Sequence, residues 1–279
     1  MKQHLIALDL DGTLLTDKKE ISPASKQMIQ LAIEQGHIVV IATGRPHRAS
    51  IDYYSELDLT TPMINFNGAL VHHPKNPNWT VSHVPLPKDT AHDIVNTCYD
   101  LNVRNILAEV QDQVFLDQYD EDILNIFRAT LPKHMKGKEP FHIGSLLQEL
   151  KSDPTSLLIH PSKENIHMLR DHLNDHHAEM IEHRKWGAPW DIIEIVKKGI
   201  NKAVGLKRVS EYYSIPKERI IAFGDEDNDL EMLDYAGMGI AMGNAIDSLK
   251  SVAKETTLSN EEDGIAVFLE DFLHVKTNV

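Results

Sequence analysis

The stretch LIALDLDGTLL, residues 5–15, constrains this chain most: an apolar run of strand length stops at two aspartates. A buried parallel strand delivers its last residues to the carboxyl edge of a sheet, where ligands of open α/β sheets bind, so Asp9 and Asp11 arrive at the expected site. Side chains two apart on a strand share a face, and both carboxylates can therefore address one object. Gly12 then lets the backbone turn and Thr13 supplies a hydroxyl. Two ionised carboxylates about 4 Å apart repel by roughly 4 kcal/mol at an effective dielectric of about 20. A divalent cation, a shared proton, or both would compensate.

The chain of 279 residues is long enough for one large domain or two moderate ones, and 42% hydrophobic residues can fill a core. Its net charge of −14 argues against nucleic acid or an anionic membrane as a partner held by charge, and fits a cation better. The single cysteine, Cys98, excludes an intramolecular disulfide and suggests a reducing compartment. It falls on the apolar side of an amphipathic stretch, as a core residue does. No signal-peptide pattern opens the chain, and no apolar run approaches the ~20 residues of a membrane span. A cytoplasmic globular protein is the expectation, with no indication of its oligomeric state.

After Asp11 the pattern alternates. Ser22-Pro23 marks a helix start, with Gly36 as its stop. A second short buried strand ends in Thr43-Gly44-Arg45, repeating the design of the first. A helix is expected over 46–57, then two short strands, 63–66 and 69–72, around the hairpin signal Asn67-Gly68. From residue 83 to 189 the chain becomes rich in histidine and carries no carboxylate pair at a strand end. Helices are expected at 88–102, 121–130 and 162–177, and strands at 104–110, 113–117, 155–160 and 178–183. These imply an inserted α/β domain, residues 83–189, within a core of residues 1–82 and 190–279, with hinges at 83–87 and 185–190. His167, His172, His176 and His177 share a polar-rich helix with no nearby ligand to complete a four-ligand set, so they read as surface residues.

The core pattern resumes with a strand at 190–196, a helix over KKGINKAVGLKRVSEYY opened by Gly199 and Asn201, and a strand at 218–223 that again ends in acid, GDEDNDLEML. Asp225, Glu226, Asp227 and Asp229 crowd into five positions, which is hard to accommodate unless a cation or phosphate-binding task uses some of them. Asp225 and Asp229 are the candidates; Glu226 and Asp227 fit a solvated turn. Short units at 238–241, 246–252 and 265–273 complete the sheet and its cover. Familiar motifs are absent: there is no GxxxxGK[ST] loop, no GxSxG elbow and no HExxH helix. An EF-hand over Asp225–Ala236 fails because Leu230 stands at the required glycine and Ala236 at the required glutamate. What remains is a set of strand-end polar groups, with Lys198 and Lys202 near a helix start.

Those residues resemble a known family. DLDGT at Asp9–Thr13, ATGR at Ala42–Arg45, KGINK at Lys198–Lys202 and GDEDND at Gly224–Asp229, followed by IAMGNA, resemble in order and separation the haloacid dehalogenase superfamily of phosphohydrolases. The closer resemblance is to its Cof-type branch, with a C2-type α/β cap between the second and third motifs; Ala203 replaces a glycine usual there. The resemblance implies an α/β fold, a Rossmann-like doubly wound parallel sheet with an inserted smaller α/β cap that closes as a substrate-selecting lid. It implies a Mg²⁺-dependent phosphatase of small phosphorylated metabolites: sugar phosphates, pyridoxal phosphate, flavin mononucleotide or nucleotides. Asp9 would be the nucleophile that forms an aspartyl-phosphate, and Asp11 the proton donor and acceptor. Mg²⁺ would be held by Asp9, the Asp11 carbonyl and Asp225, with Asp229 orienting the loop behind them. Thr43, the Leu10 and Gly44 amides, Lys202 and Asn228 would bind the phosphoryl oxygens, with Lys198 as a substitute for Lys202. A phosphoryl-transfer mutase or a phosphoacceptor signalling module would share part of this chemistry. Cap side chains set the substrate, and one sequence gives no map from cap to ligand.

Overall fold

Leu5–Leu8 is a strand whose four side chains are all fully buried, because it lies inside a five-stranded parallel sheet. Across that sheet the order is Glu255–Thr256, Met238–Ala241, Ile220–Gly224, Leu5–Leu8, Ile38–Ile41. Leu8 stands beside Phe223 on one side and Ile41 on the other. The first strand thus sits where the strand order reverses, and Asp9, Thr43 and Asp225 all lie just beyond the carboxyl ends of neighbouring strands. The computed structural model describes residues 2–129, 131–132, 135, 137–162, 164–185 and 192–274. Among them, no helix is long and apolar enough to cross a membrane.

Alternate strand residues serve opposite faces, as a period of two requires. Ile6 and Leu8 pack with Met28, Ile29 and Leu269, under the helices Pro23–Glu34 and Gly264–Leu273. Leu5 and Ala7 pack with Leu206, Val209 and Leu233, under Lys202–Tyr212 and Leu230–Tyr235. Each fully buried Leu or Ile contributes about 1.5–3 kcal/mol. The Ser22 hydroxyl accepts from the Ser25 amide at 3.1 Å and Pro23 opens its helix, the start expected from sequence. The expected hairpin is also present, Met63–Asn65 pairing antiparallel with Leu70–His72 around a 3-10 turn, Phe66–Gly68.

The chain divides into two compact units, one of Met1–Arg45, Ser50–Ser82 and Asn201–Val279, the other of Pro46–Ala49 and His83–Ile200. The second unit is a six-stranded sheet in the order Ile181–Lys185, Ile193–Lys197, Ser156–His160, Asn105–Val110, Gln113–Leu116, Phe141–Ile143. All of its pairs are antiparallel except the last. Lys88–Asp100 and Ile166–His177 cover one face, with Cys98 buried in that core, and Glu121–Ala129 covers the other.

Two elements depart from expectation. Phe141–Ile143 is a strand too short to show a period. The strand expected to return to the core at 190–196 instead runs Ile193–Lys197 and pairs inside the second unit, with Ile181–Lys185 and Ser156–His160. Its alternation fits any sheet, and only a partner close in sequence decided between them. Of the expected hinge at 185–190, all but Lys185 lies outside the described residues. Pro46–Ala49 belongs with the second unit because the buried Arg48 guanidinium pairs with Glu109, whose other oxygen accepts from Ser156 Oγ at 3.1 Å. Arg48 also donates its amide to Asp112 at 2.8 Å. A buried charge requires such partners.

Before the first strand, the His4 amide donates to Nδ1 of the buried His37 at 3.1 Å, and Phe272 packs against both rings. That acceptor must be unprotonated. Burial holds both imidazoles below their ordinary range, and for His37 the His4 ring adds to the effect. A folded-state pKa below the unfolded one means the unfolded chain binds more protons in acid, so this contribution to stability is present above the ordinary imidazole pKa and is lost as pH falls below it. His37→Asn keeps an acceptor but does not titrate. The fall in Tm between pH 7.5 and 5.5, followed by circular dichroism, should be smaller in this variant than in the wild type; an unchanged fall would show that His37 is not part of it.

Candidate active site

Asp9 ends the first strand, and its amide donates to Phe223 O at 3.2 Å, which holds the residue at the seam between two strands. Asp225 directly follows the neighbouring strand, Ile220–Gly224. Asp229 lies one turn further on, and its Oδ2 accepts from the amides of Asp225 at 3.1 Å and Glu226 at 3.2 Å, folding the acidic run back on itself. Oxygens of Asp9, Asp225 and Asp229 all lie within 4.8 Å of one another, and all three residues are buried. Glu226 and Asp227 are exposed, as a solvated turn requires. Lys202, fully buried at the first position of its helix, donates to Asp9 Oδ1 at 2.6 Å and Asp229 Oδ1 at 2.7 Å. Asn201 caps that helix through the Val204 amide at 3.1 Å.

When ionised, three carboxylates against one ammonium leave two uncompensated negative charges in a buried space. Every candidate ligand is a hard oxygen, the donor type that suits Mg²⁺, Ca²⁺ or Mn²⁺, so the residues fit a divalent cation. Asp229 belongs to this group by position, where the sequence pointed to Asp9, Asp225 and the Asp11 carbonyl. Thr13 Oγ1 donates to Asp225 Oδ1 at 2.8 Å, and Asn244 Nδ2 donates to Gly12 O at 2.8 Å. Gly12 has φ +72°, and a Cβ there would stand 2.1 Å from Asp225 Oδ2. Only glycine allows that approach.

Burial pushes the Asp9 carboxyl above the usual carboxylate range, with Lys202 opposing and Asp229 adding to the shift. Burial also raises Asp225, and the charges of Asp9 and Asp229 raise it further. For Lys202, burial favours the neutral amine, but Asp229 and Asp9 outweigh it and the ammonium is held above its ordinary range.

The Asp11 side chain is turned to other partners. Arg45 grips both its oxygens, Nε to Oδ2 and Nη2 to Oδ1, each at 2.6 Å, and Lys19 Nζ reaches Oδ1 at 2.8 Å. Burial would raise this carboxyl, but Arg45 and then Lys19 more than reverse the effect and hold it well below the usual range. Arg45 also lies over the Tyr53 ring, 5.4 Å from its centroid. The sequence offers Arg45 only as the polar end of the second strand and of ATGR, and singles out nothing at Lys19. A cation 8 or 34 residues from its acid carries no local signal.

The remaining expected residues are placed as follows. Thr43 is buried, and its Oγ1 accepts from the Arg45 amide at 3.1 Å. The Leu10 side chain is core. Asn228 Nδ2 donates to Asn67 Oδ1 at 3.0 Å, beside Gly44. Lys198 lies in the second unit, where its Nζ donates to Ala178 O at 2.6 Å.

Because Asp9 and Asp225 retain protons into the neutral range without a cation, a divalent ion must displace protons as it binds. Calorimetry of the metal-free protein should show proton release at pH 7 and an affinity that falls as pH falls from 8 to 6. At pH 9, where the Asp225 carboxyl is ionised, Asp225→Asn removes one like charge from the cluster. It should raise the Tm of the metal-free protein and lose the rise in Tm that a divalent cation gives the wild type; a variant still stabilised by the cation would place the ion elsewhere.

A sequence profile of the haloacid dehalogenase-like hydrolases matches residues 6–269. The 5-amino-6-(5-phospho-D-ribitylamino)uracil phosphatase YitU of Bacillus subtilis (strain 168) is 50% identical over 271 residues, covering 97% of this chain and 98% of its own. Pyridoxal phosphate phosphatase YbhA of Escherichia coli (strain K12) is 29% identical over 285 residues, covering 98% and 100%. Among solved structures, a haloacid dehalogenase-like hydrolase from Bacteroides thetaiotaomicron superposes with a TM-score of 0.83 at 26% identity, over 97% of this chain and 100% of that one. With acidic strand ends, a buried lysine and this likeness along nearly its whole length, the chain belongs to the haloacid dehalogenase-like hydrolase family and is a phosphatase.

Proposed function

We propose that this phosphatase is Mg²⁺-dependent, works through an aspartyl-phosphate on Asp9, and takes 5-amino-6-(5-phospho-D-ribitylamino)uracil or a close analogue as substrate. The observation that carries the chemistry is the buried network of Asp9, Lys202 and Asp229 beside Asp225. Support for the substrate class is the relative of half-identical sequence that is named for that ester. A second relative is named for pyridoxal phosphate, another small phosphomonoester on a nitrogen heterocycle.

Lys202 holds Asp9 by Oδ1, which leaves Oδ2 for attack on phosphorus. The new bond is Asp9 Oδ2 to P, the broken one is P to the ribityl oxygen, and that oxygen leaves with a proton given by Asp11, which takes it up from solvent once outside its Arg45 fork. Water then attacks the aspartyl-phosphate, giving inorganic phosphate and restoring Asp9. An ammonium has three donors, and Lys202 gives two to Asp9 and Asp229, so the third remains for a phosphoryl oxygen. Thr43 Oγ1, the Leu10 and Gly44 amides and Asn228 complete the phosphate site. When bound, Mg²⁺ supplies the positive charge that lets a phosphate dianion approach three carboxylates. Asp11, ionised in its Arg45 fork, suits the second step, taking the proton of the attacking water; donation in the first step requires it to leave that fork. The inserted domain, residues 83–189 by its sequence boundaries, is the substrate-selecting cap.

With Mg²⁺, the purified protein should release inorganic phosphate from 5-amino-6-(5-phospho-D-ribitylamino)uracil with a kcat/KM on the order of tenfold or more above that for pyridoxal phosphate, a ratio that pocket contacts can supply. Chelation should abolish release and added Mg²⁺ restore it. Asp9→Asn should lose both turnover and covalent phosphate incorporation, whereas Asp11→Asn should lose about 10²- to 10⁴-fold in rate and still be phosphorylated slowly. Full activity after exhaustive chelation would remove the metal from the mechanism, and equal kcat/KM for the two esters would remove the substrate assignment.

A further inference from the structure

Phe66 and Asn67 are consecutive residues in the left-handed region, at φ +49° and +51°, followed by Gly68 at +97°. L side chains avoid that region, asparagine less than phenylalanine, and such conformations gather at functional sites. Here the turn holds three parts of the phosphate site together. The Asn67 amide donates to Thr43 O at 3.1 Å and the Phe66 amide to Arg45 O at 3.2 Å, while the Thr43 amide donates to Ile64 O at 2.9 Å. Gly68 abuts Asn201, the residue that caps the Lys202 helix: a Cβ on Gly68 would stand 2.3 Å from the Asn201 carbonyl oxygen. The buried Asn67 side chain accepts from Asn228 Nδ2 at 3.0 Å and lies against Gly44, where a Cβ would meet its Oδ1 at 3.2 Å and its Nδ2 at 3.3 Å.

An amide presents a donor on one side and an acceptor on the other, and a phosphate oxygen is bound only by the donor. The acceptor of Asn67 takes one N–H of Asn228 and so fixes which way that amide faces, leaving the second N–H for the anion. We infer that Asn67 is a positioning residue for phosphate binding, acting through the Asn228 amide rather than by touching substrate. The left-handed turn that carries it is retained because it brings Asn67, the Thr43-Gly44 backbone and the Lys202 helix start together. The inference rests on Asn228 being a phosphate ligand.

Glycine adopts φ +51° without steric cost, so Asn67→Gly keeps the turn and removes only the amide. Asn67→Ala removes the same amide but keeps a Cβ in an unfavourable conformation, which should lower Tm. The readouts are the KM for the phosphate ester and the Ki for inorganic phosphate, at saturating Mg²⁺, beside Tm. Asn67→Gly should keep or raise Tm, raise KM and Ki together by about fivefold, as loss of one hydrogen bond does, and change kcat by less than about twofold. Asn67→Ala should show the same rise in Ki despite its lower Tm. In an Asn228→Ala background, itself weakened for phosphate, Asn67→Gly should change Ki by less than about twofold, because residues acting as a unit are not additive. An unchanged Ki in Asn67→Gly, a Ki that follows Tm across the two variants, or an equal effect in both backgrounds would overturn the inference. An Asn228→Ala variant with wild-type Ki would overturn it too, while leaving the phosphatase activity, which is read from the wild type, untouched.

Discussion

The ammonium of Lys202 has no exposure to solvent, and the carboxyl end of the core sheet is arranged around it. Removing one partner from a buried ion pair costs about 3–5 kcal/mol, because the other charge is left without water or counter-charge. Lys202 has two such partners, Asp9 from the first strand and Asp229 from the turn after Ile220–Gly224, and each is buried in turn. Its position shows that they, not the helix, determine it. A cation in the first turn opposes the helix dipole, and no acidic residue accompanies it there. The Asn201 cap and the close approach of Gly68 secure a helix start that local electrostatics disfavours.

Carboxylates meet here because of register. Leu8 lies beside Phe223 in a parallel pair, so the residues that follow each strand emerge side by side. The repulsion that results is borne by apolar packing on both faces of the sheet, far larger in sum than the electrostatic cost of the site. Local rules give way at the site: a lysine opens a helix, three acids cluster, and two left-handed residues share one turn.

Much of this was legible in the sequence, and the reason is periodicity. Buried strands that stop at Asp9, Thr43 and Asp225 announce both the sheet and the edge that carries the site. Ser22-Pro23 and Asn201 announce helix starts, and Asn67-Gly68 a hairpin. What stayed hidden depends on pairing between distant residues. Nothing local ties Arg48 to Glu109 or turns Arg45 toward Asp11, and the alternation of Ile193–Lys197 does not say which sheet takes it until it pairs with Ile181–Lys185. Asn67 was visible as a turn residue, but its contact with Asn228 spans 161 positions and exists only after the core has closed.

Two aspartates two residues apart receive opposite treatment, and this bears on how the site is switched on. Environments that push a pair of carboxyls apart mark their roles. Without a cation, burial raises the Asp9 carboxyl against the pull of Lys202, while Arg45 and Lys19 lower that of Asp11. The hydrolysis proposed above needs the reverse at its start: an ionised Asp9 to attack, and a proton near the leaving oxygen. A divalent cation among Asp9, Asp225 and Asp229 corrects the first half, since it stabilises the ionised forms of the acids that burial has raised. The second half requires Arg45 and Lys19 to release Asp11, and an arriving phosphate ester is an anion that competes for the same two cations. On the proposed mechanism, cation and substrate therefore each act on one of the two carboxyls, the cation against the burial that raises Asp9 and the substrate against the cations that lower Asp11.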